Sequence, residues 1–277
     1  DESTSTYFVY APAIQVTYPV GNPVYPEGKV EYYNDMLEAV PYTTNCPRLE
    51  GATVTLLTDI EAPGIRMMEN DMVLDLNRHT YTITAGTGSQ GTNTSGFQIR
   101  PEVTTEATIK NGTIKVAEGA PVVWMFNNYA SNFVVEDVVV DCANMAYGYG
   151  ENCYVHISRS DNNTTFTGTT KIVNFDAQKA GNAINVGGTM TIKDTATPGG
   201  TIELKADATL TARKGLTVTT DVANKVVKYE SGVYSLVTGY TVTFDVNGGS
   251  AVDAQKVVSG AQATQPDDPT RSGYTFQ

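Results

Sequence analysis

The chain has 277 residues, a formal net charge of −12 and a hydrophobic content of 40%. That length carries one large or two medium domains. The acidic balance argues against nucleic acid and anionic membrane surfaces as partners, and no apolar run is long enough to cross a bilayer.

The first residues, Asp1-Glu2-Ser3-Thr4, show no initiator Met and no signal-peptide pattern, and they read as the start of a mature or trimmed protein. Residues 1–29 are rich in Pro and Tyr and read as an extended leader or edge strand, with residues 14–18 as its clearest strand. A cap helix is predicted over residues 34–41. Asn34 is its expected N-cap, Asp35 favours its positive end, and Met36, Leu37 and Val40 give it an apolar side.

From residue 51 to about residue 221 one theme repeats. Residues 51–60 alternate with Val54 and Leu56 on one side. Short strands are then predicted at 72–76, 81–84, 97–99, 107–109, 112–116, 133–135, 138–140, 171–173, 190–192, 201–204 and 216–218. Turns such as Lys110-Asn111-Gly112 and Gly187-Gly188 separate them. Short strands without helices fit a sandwich, a propeller or a β-solenoid. Val, Ile and Leu at the inward positions and turns inside the units favour the solenoid, with coils of roughly 20–25 residues. Residues 227–236 read as a hairpin turning at Glu230-Ser231-Gly232.

The segment Tyr32-Tyr33-Asn34-Asp35-Met36-Leu37-Glu38-Ala39-Val40, followed by Gly51-Ala52-Thr53-Val54-Thr55-Leu56-Leu57-Thr58-Asp59-Ile60, resembles the opening of many right-handed β-helix domains of secreted bacterial proteins. That family is pectin-lyase-like in shape, and the resemblance implies an all-β parallel β-helix, not an activity. A second resemblance covers the last forty residues. Tyr240-Thr241-Val242-Thr243-Phe244, the Asn247-Gly248-Gly249 turn, Pro266-Asp267-Asp268-Pro269-Thr270-Arg271 and Gly273-Tyr274-Thr275-Phe276 stand in order. They are similar to the first half of the Listeria–Bacteroides repeat of internalin-type surface proteins. This implies an extracellular, bacterial cell-surface location. The expected organisation is a leader at 1–29, a parallel β-helix with its cap helix at 30–238, and a truncated repeat at 239–277.

Function has to come from a site, because β-helices host lyases, hydrolases, esterases and inert adhesins. A lyase needs carboxylates to hold Ca²⁺ and a base to remove a proton. Asp137, Asp141 and Arg159 are the candidates, set against the reading that they are solvated turn charges. The hydrolase signatures of the polygalacturonase type are absent. The two histidines, His79 and His156, are isolated, so no Ser-His-Asp or Cys-His set is visible. No cofactor is expected beyond the Ca²⁺ of the lyase alternative.

The 16 tyrosines are the stronger lead. Tyr147 and Tyr149 lie in a Gly-flanked loop, His156 follows on a strand, and aromatic faces stack on sugar rings. Trp124 and Phe126 are assigned to the core. Three cysteines are too few for a disulfide scaffold and fit no zinc spacing. Cys142 and Cys153 either form a disulfide that pins the intervening loop or are buried free thiols. The favoured function is a non-enzymatic adhesin that contacts glycans or a host or bacterial surface protein. The alternative is a polysaccharide lyase or glycoside hydrolase.

Overall fold

The computed structural model describes residues 11–42, 45–88, 93–100, 106–129, 132–146, 156–158, 163–174, 184–192, 202–204 and 208–274. These residues are almost entirely β. A hairpin, β1 (Ile14–Val20) and β2 (Glu27–Tyr33), leads into a one-turn helix, α1 (Met36–Ala39). Next come β3 (Thr53–Leu56), β4 (Ile60–Ala62), β5 (Ile65–Met67), β6 (Val73–Asp75), β7 (Thr80–Ile83) and β8 (Ser95–Ile99). Two longer strands, β9 (Glu106–Val116) and β11 (Asn132–Asp141), alternate with β10 (Trp124–Asn128) and β12 (His156–Ser158). The chain continues through β13 (Asn163–Gly168), β14 (Lys171–Val173), β15 (Ile184–Ile192), β16 (Ile202–Leu204), β17 (Thr209–Thr211) and β18 (Val218–Thr219). It closes with β19 (Lys225–Glu230), β20 (Val233–Val242) and β21 (Gln255–Val258).

The strands form one curled, mixed, 17-stranded sheet and one four-stranded sheet. Parallel pairing runs β3–β6–β9–β11–β13–β15–β16–β18 along one part of the large sheet. Along another part it runs β4–β7–β9–β11–β14–β15–β17. The four-stranded sheet is parallel throughout, in the order β12-β10-β8-β5. Antiparallel pairs stand at both ends: β1 lies between β2 and β3, and β20 pairs with β17, β19 and β21.

The curl has a local cause. β9, β11 and β15 each serve both parts of the large sheet, and β9 and β11 bend between their two halves. In β9 the bend is at Asn111, with φ 60°, and in β11 it is at Asp137, with φ 54°. The register places Asp137 beside Asn111, since Glu136 pairs with Lys110 and Val138 with Gly112. Asn and Asp are the side-chain-bearing residues that best tolerate the left-handed region. The Lys110-Asn111-Gly112 segment therefore bends one strand, where the sequence suggested a turn between two. Gly112 has a separate reason to lack a side chain: a Cβ there would sit 2.5 Å from both the His79 carbonyl oxygen and Leu76 Cβ.

The core lies on the concave side, as rows of apolar residues stacked in register. Val54, Leu74, Ile109, Val135 and Phe166 form one row, and Tyr81, Ile114, Val140 and Ile172 another, all fully buried. Phe97, Phe126, Phe133 and Phe166 join them, with ring centroids 5.3–6.1 Å apart from Phe97 to Phe126 and from Phe126 to the other two. Each such side chain contributes about 1.5–3 kcal/mol on burial. Phe126 thus belongs to the core as expected, but Trp124 is only half-buried.

The N-terminal features differ from expectation in detail. Part of the expected leader, β1, is hydrogen-bonded into the large sheet on both its edges. The helix is shorter than residues 34–41, and Asp35, not Asn34, is its N-cap: Oδ1 accepts from the Leu37 and Glu38 amides at 2.6 and 3.3 Å. Its C-terminal end is held by Arg48, which donates to the Glu38 and Ala39 carbonyls. Arg48 also donates to the Tyr18 and Tyr33 hydroxyls, and those hydroxyls donate to Glu31. This network ties the hairpin to the helix.

Candidate functional site

The sequence candidates fall in three groups. Tyr147, Tyr149, Cys153 and Arg159 lie outside the described residues. His156 opens β12, with its backbone beside Trp124 on the edge of the four-stranded sheet. Asp137, Asp141 and Cys142 are placed in detail.

Asp137 and Asp141 are occupied with structure. Asp137 Oδ1 accepts from the Thr169 amide at 2.7 Å and from its hydroxyl at 2.9 Å. Asp141 Oδ1 accepts from Asn174 Nδ2 at 2.9 Å and from the Ala143 amide at 3.0 Å. Each carboxylate fixes a different turn, and they share no partner. Among the described residues no group of three or more His, Cys, Asp or Glu is placed to hold a metal ion. Cys142 is a free thiol, almost fully buried, and burial pushes its pKa well up. Cys142 packs as a small apolar side chain.

The arrangement best suited to hold a ligand lies elsewhere, on the outer side of the four-stranded sheet. Parallel register lines up Arg66 of β5, Gln98 of β8 and Asn127 of β10 across three neighbouring strands. Arg66 Nε donates to Gln98 Oε1 at 2.7 Å, and Nη2 donates to the Gly88 carbonyl at 3.1 Å. The guanidinium lies over the Tyr42 ring, 4.2 Å from its centroid, and the Tyr42 hydroxyl also donates to the Gly88 carbonyl. Beside them opens a cleft of about 530 Å³, lined by Leu37, Tyr42, Pro63, Arg66, Thr87 and Asn93 among others. Further along the same strands, Arg100 lies over Tyr129, with 5.5 Å from guanidinium carbon to ring centroid.

Two polar atoms at this site are buried without a hydrogen-bond partner: Thr87 Oγ1 and Gln98 Nε2. Arg66 fixes the orientation of the Gln98 amide, because the guanidinium needs the oxygen, so Nε2 turns to the other side. Sequence reasoning missed Tyr42, Arg66, Gln98 and Arg100. Arg66 between Ile65 and Met67, or Gln98 between Phe97 and Ile99, is what any half-buried strand shows. Only the register brings them into one row.

The C-terminal segment has its own geometry. Arg271 Nη1 donates to the Asn247 carbonyl at 2.8 Å, and its guanidinium lies 4.3 Å from the Tyr274 ring centroid. Asn247 and Gly248 take φ of 44° and 78° in the turn. Ser250 and Thr270 exchange two hydrogen bonds. Asn247, Gly248, Thr270, Arg271 and Tyr274 of the motif thus each have a contact or a conformation suited to their residue type. Residues 240–277 match the Listeria-Bacteroides repeat domain. The repeat is found in surface proteins. It covers the C-terminal end of the chain, and no curated protein and no solved structure matches the chain. No helix among the described residues is long and apolar enough to cross a membrane.

Proposed function

We propose that the chain is part of an extracellular bacterial surface protein and acts as an adhesin, binding glycans or a host or bacterial surface protein without catalysis. The observation that carries this reading is the repeat at residues 240–277, a module of surface proteins. On this reading residues 30–238 are a right-handed parallel β-helix of pectin-lyase shape. Support comes from the recurring strand order: β3, β4 and β5 are stacked in turn under β6, β7 and β8, each pair parallel. Such a solenoid buries apolar side chains only between neighbouring coils and displays a regular outer face.

The binding face is the outer side of the four-stranded sheet, and Tyr147, Tyr149 and His156 are its candidate aromatic and polar contacts. Tyr147 and Tyr149 precede β12 in sequence and His156 opens it; β12 is the edge strand of the sheet that carries Arg66 and Gln98. The lyase alternative, with Asp137, Asp141, Arg159 and Ca²⁺, has weaker support, since both aspartates already accept two hydrogen bonds within turns. A glycan array probed with the wild-type chain and with Tyr147→Ala tests the reading. Binding to a subset of glycans, weakened by the substitution, is expected. Release of unsaturated product from a uronate polymer, lost in Asp141→Ala, would overturn the non-enzymatic assignment.

A further inference from the structure

Arg66 is one of the basic residues whose charge no carboxylate balances among the described residues. Overall charge is −12, and Lys29, Arg48, Lys110 and Lys228 all stand within ion-pair range of a carboxylate. Arg66 has no such partner among the described residues. Its Nε and Nη2 are used on neutral acceptors, and its ring contact with Tyr42 leaves the charge uncompensated. Thr87, 2% exposed, lines the cleft and holds a hydroxyl without a partner; Gln98, fully buried behind Arg66, accepts from its Nε. An unpaired buried donor costs about 1–3 kcal/mol, and a native fold keeps such groups chiefly where something else satisfies them. An uncompensated guanidinium and an unpaired hydroxyl on a ligand-sized cleft form a donor set for a carboxylate with an adjacent ring oxygen or hydroxyl.

We propose that this cleft is a subsite for a carboxylate-bearing sugar, with Arg66 binding the carboxylate. Thr87 Oγ1 meets a neighbouring ring oxygen, Gln98 holds the guanidinium in place, and Tyr42 and Leu37 form the apolar wall. Arg100, just past the end of β8 and stacked on Tyr129, extends the positive strip toward the next sugar. The assignment rests on the glycan-binding reading above and gives it a ligand class.

Such a sugar could be a terminal sialic acid or a uronic acid, so titration calorimetry uses two acidic probes, 3′-sialyllactose and trigalacturonate. Their neutral counterparts are lactose and the methyl-esterified trimer. At least one acid is expected to bind, with its neutral counterpart about tenfold or more weaker, the loss from one charged hydrogen bond. Arg66→Met removes the preference for the acid. Thr87→Val leaves the melting temperature unchanged or higher, since it deletes an unpaired hydroxyl, and weakens acid binding. That variant preserves the test if Arg66→Met does not fold. Equal binding of acid and neutral probes, or full acid binding by a folded Arg66→Met, overturns the subsite. Binding only to neutral glycans on the array overturns it too and leaves the adhesin reading intact. Binding to no glycan at all removes both.

Discussion

At the residue scale, the positions that decide this structure are those where backbone and side chain leave no freedom. Gly112 is one: a methyl group would enter space held by the His79 carbonyl oxygen and by Leu76 Cβ. Gly112→Ala should destabilise the chain by about 1–3 kcal/mol, as overpacking does, read as a lower urea midpoint with unchanged slope. Glu31 is another. Lys29 and Tyr33 bond its carboxylate and hold its pKa down to about 2, well below the usual carboxylate range. A carboxyl whose folded pKa is depressed stabilises the fold above the unfolded value. That contribution is complete above pH about 5 and fades as pH falls from there toward 2. Its size is about 1 kcal/mol, as for partly exposed ion pairs. Glu31→Gln should flatten the fall in melting temperature between pH 5 and 2. An unchanged acid limb would show that Glu31 is free in the folded state.

At the element scale, strand existence was legible in the sequence and strand continuity was not. Val54, Leu74, Ile109, Val135 and Ile172 mark strands by apolar alternation, and Ser231-Gly232 marks the β19–β20 turn with φ of 49° and 84°. The bend inside β9 looks like a turn in sequence, because Asn111-Gly112 signals positive φ whether the chain reverses or only kinks. Asp35 and Asn34 both make good N-caps, and only the amide geometry of Leu37 and Glu38 separates them. The Arg66–Gln98–Asn127 row was not legible, since it depends on register between strands about thirty residues apart. β20 gives the testable case. It pairs with β19 and β17 through its first half and with β21 through its second. Gly239 sits at the change of partner, where a Cβ would meet the Val226 methyls at 2.5 and 2.6 Å and the Val257 carbonyl at 2.8 Å. Gly239→Val should separate β20 from β21. Faster hydrogen exchange of the Tyr240–Val242 amides, with Val233–Leu236 unchanged, is the expected readout.

At the scale of the whole molecule, the body and the repeat differ in how they are held. The body is built on rows of fully buried Leu, Ile, Val and Phe. From residue 240 to 274 no residue is buried: Val242, Phe244 and Val246 are half-covered, and Tyr240 and Tyr274 are 56% and 68% exposed. What orders the repeat is polar: Arg271 on Asn247 and Tyr274, the Ser250–Thr270 pair, Gln255 bonded both ways to Thr264, and Lys256 reaching the Thr220 carbonyl. Exposed bonds of this kind contribute about 1 kcal/mol or less each, while the body's apolar rows contribute several-fold more per residue. A chain ending at Gly239 keeps the pairing of β20 with β17 and β19. It should therefore melt within a few degrees of the full chain, by the usual relation between stability and melting temperature. In the full chain, Arg271→Ala should loosen the repeat alone, so that limited proteolysis cuts near residues 247–271 while the melting temperature of the body holds. Loss of cooperative melting in the shortened chain would instead mean that the repeat and the body fold as one unit, with β20 as the shared strand that couples them.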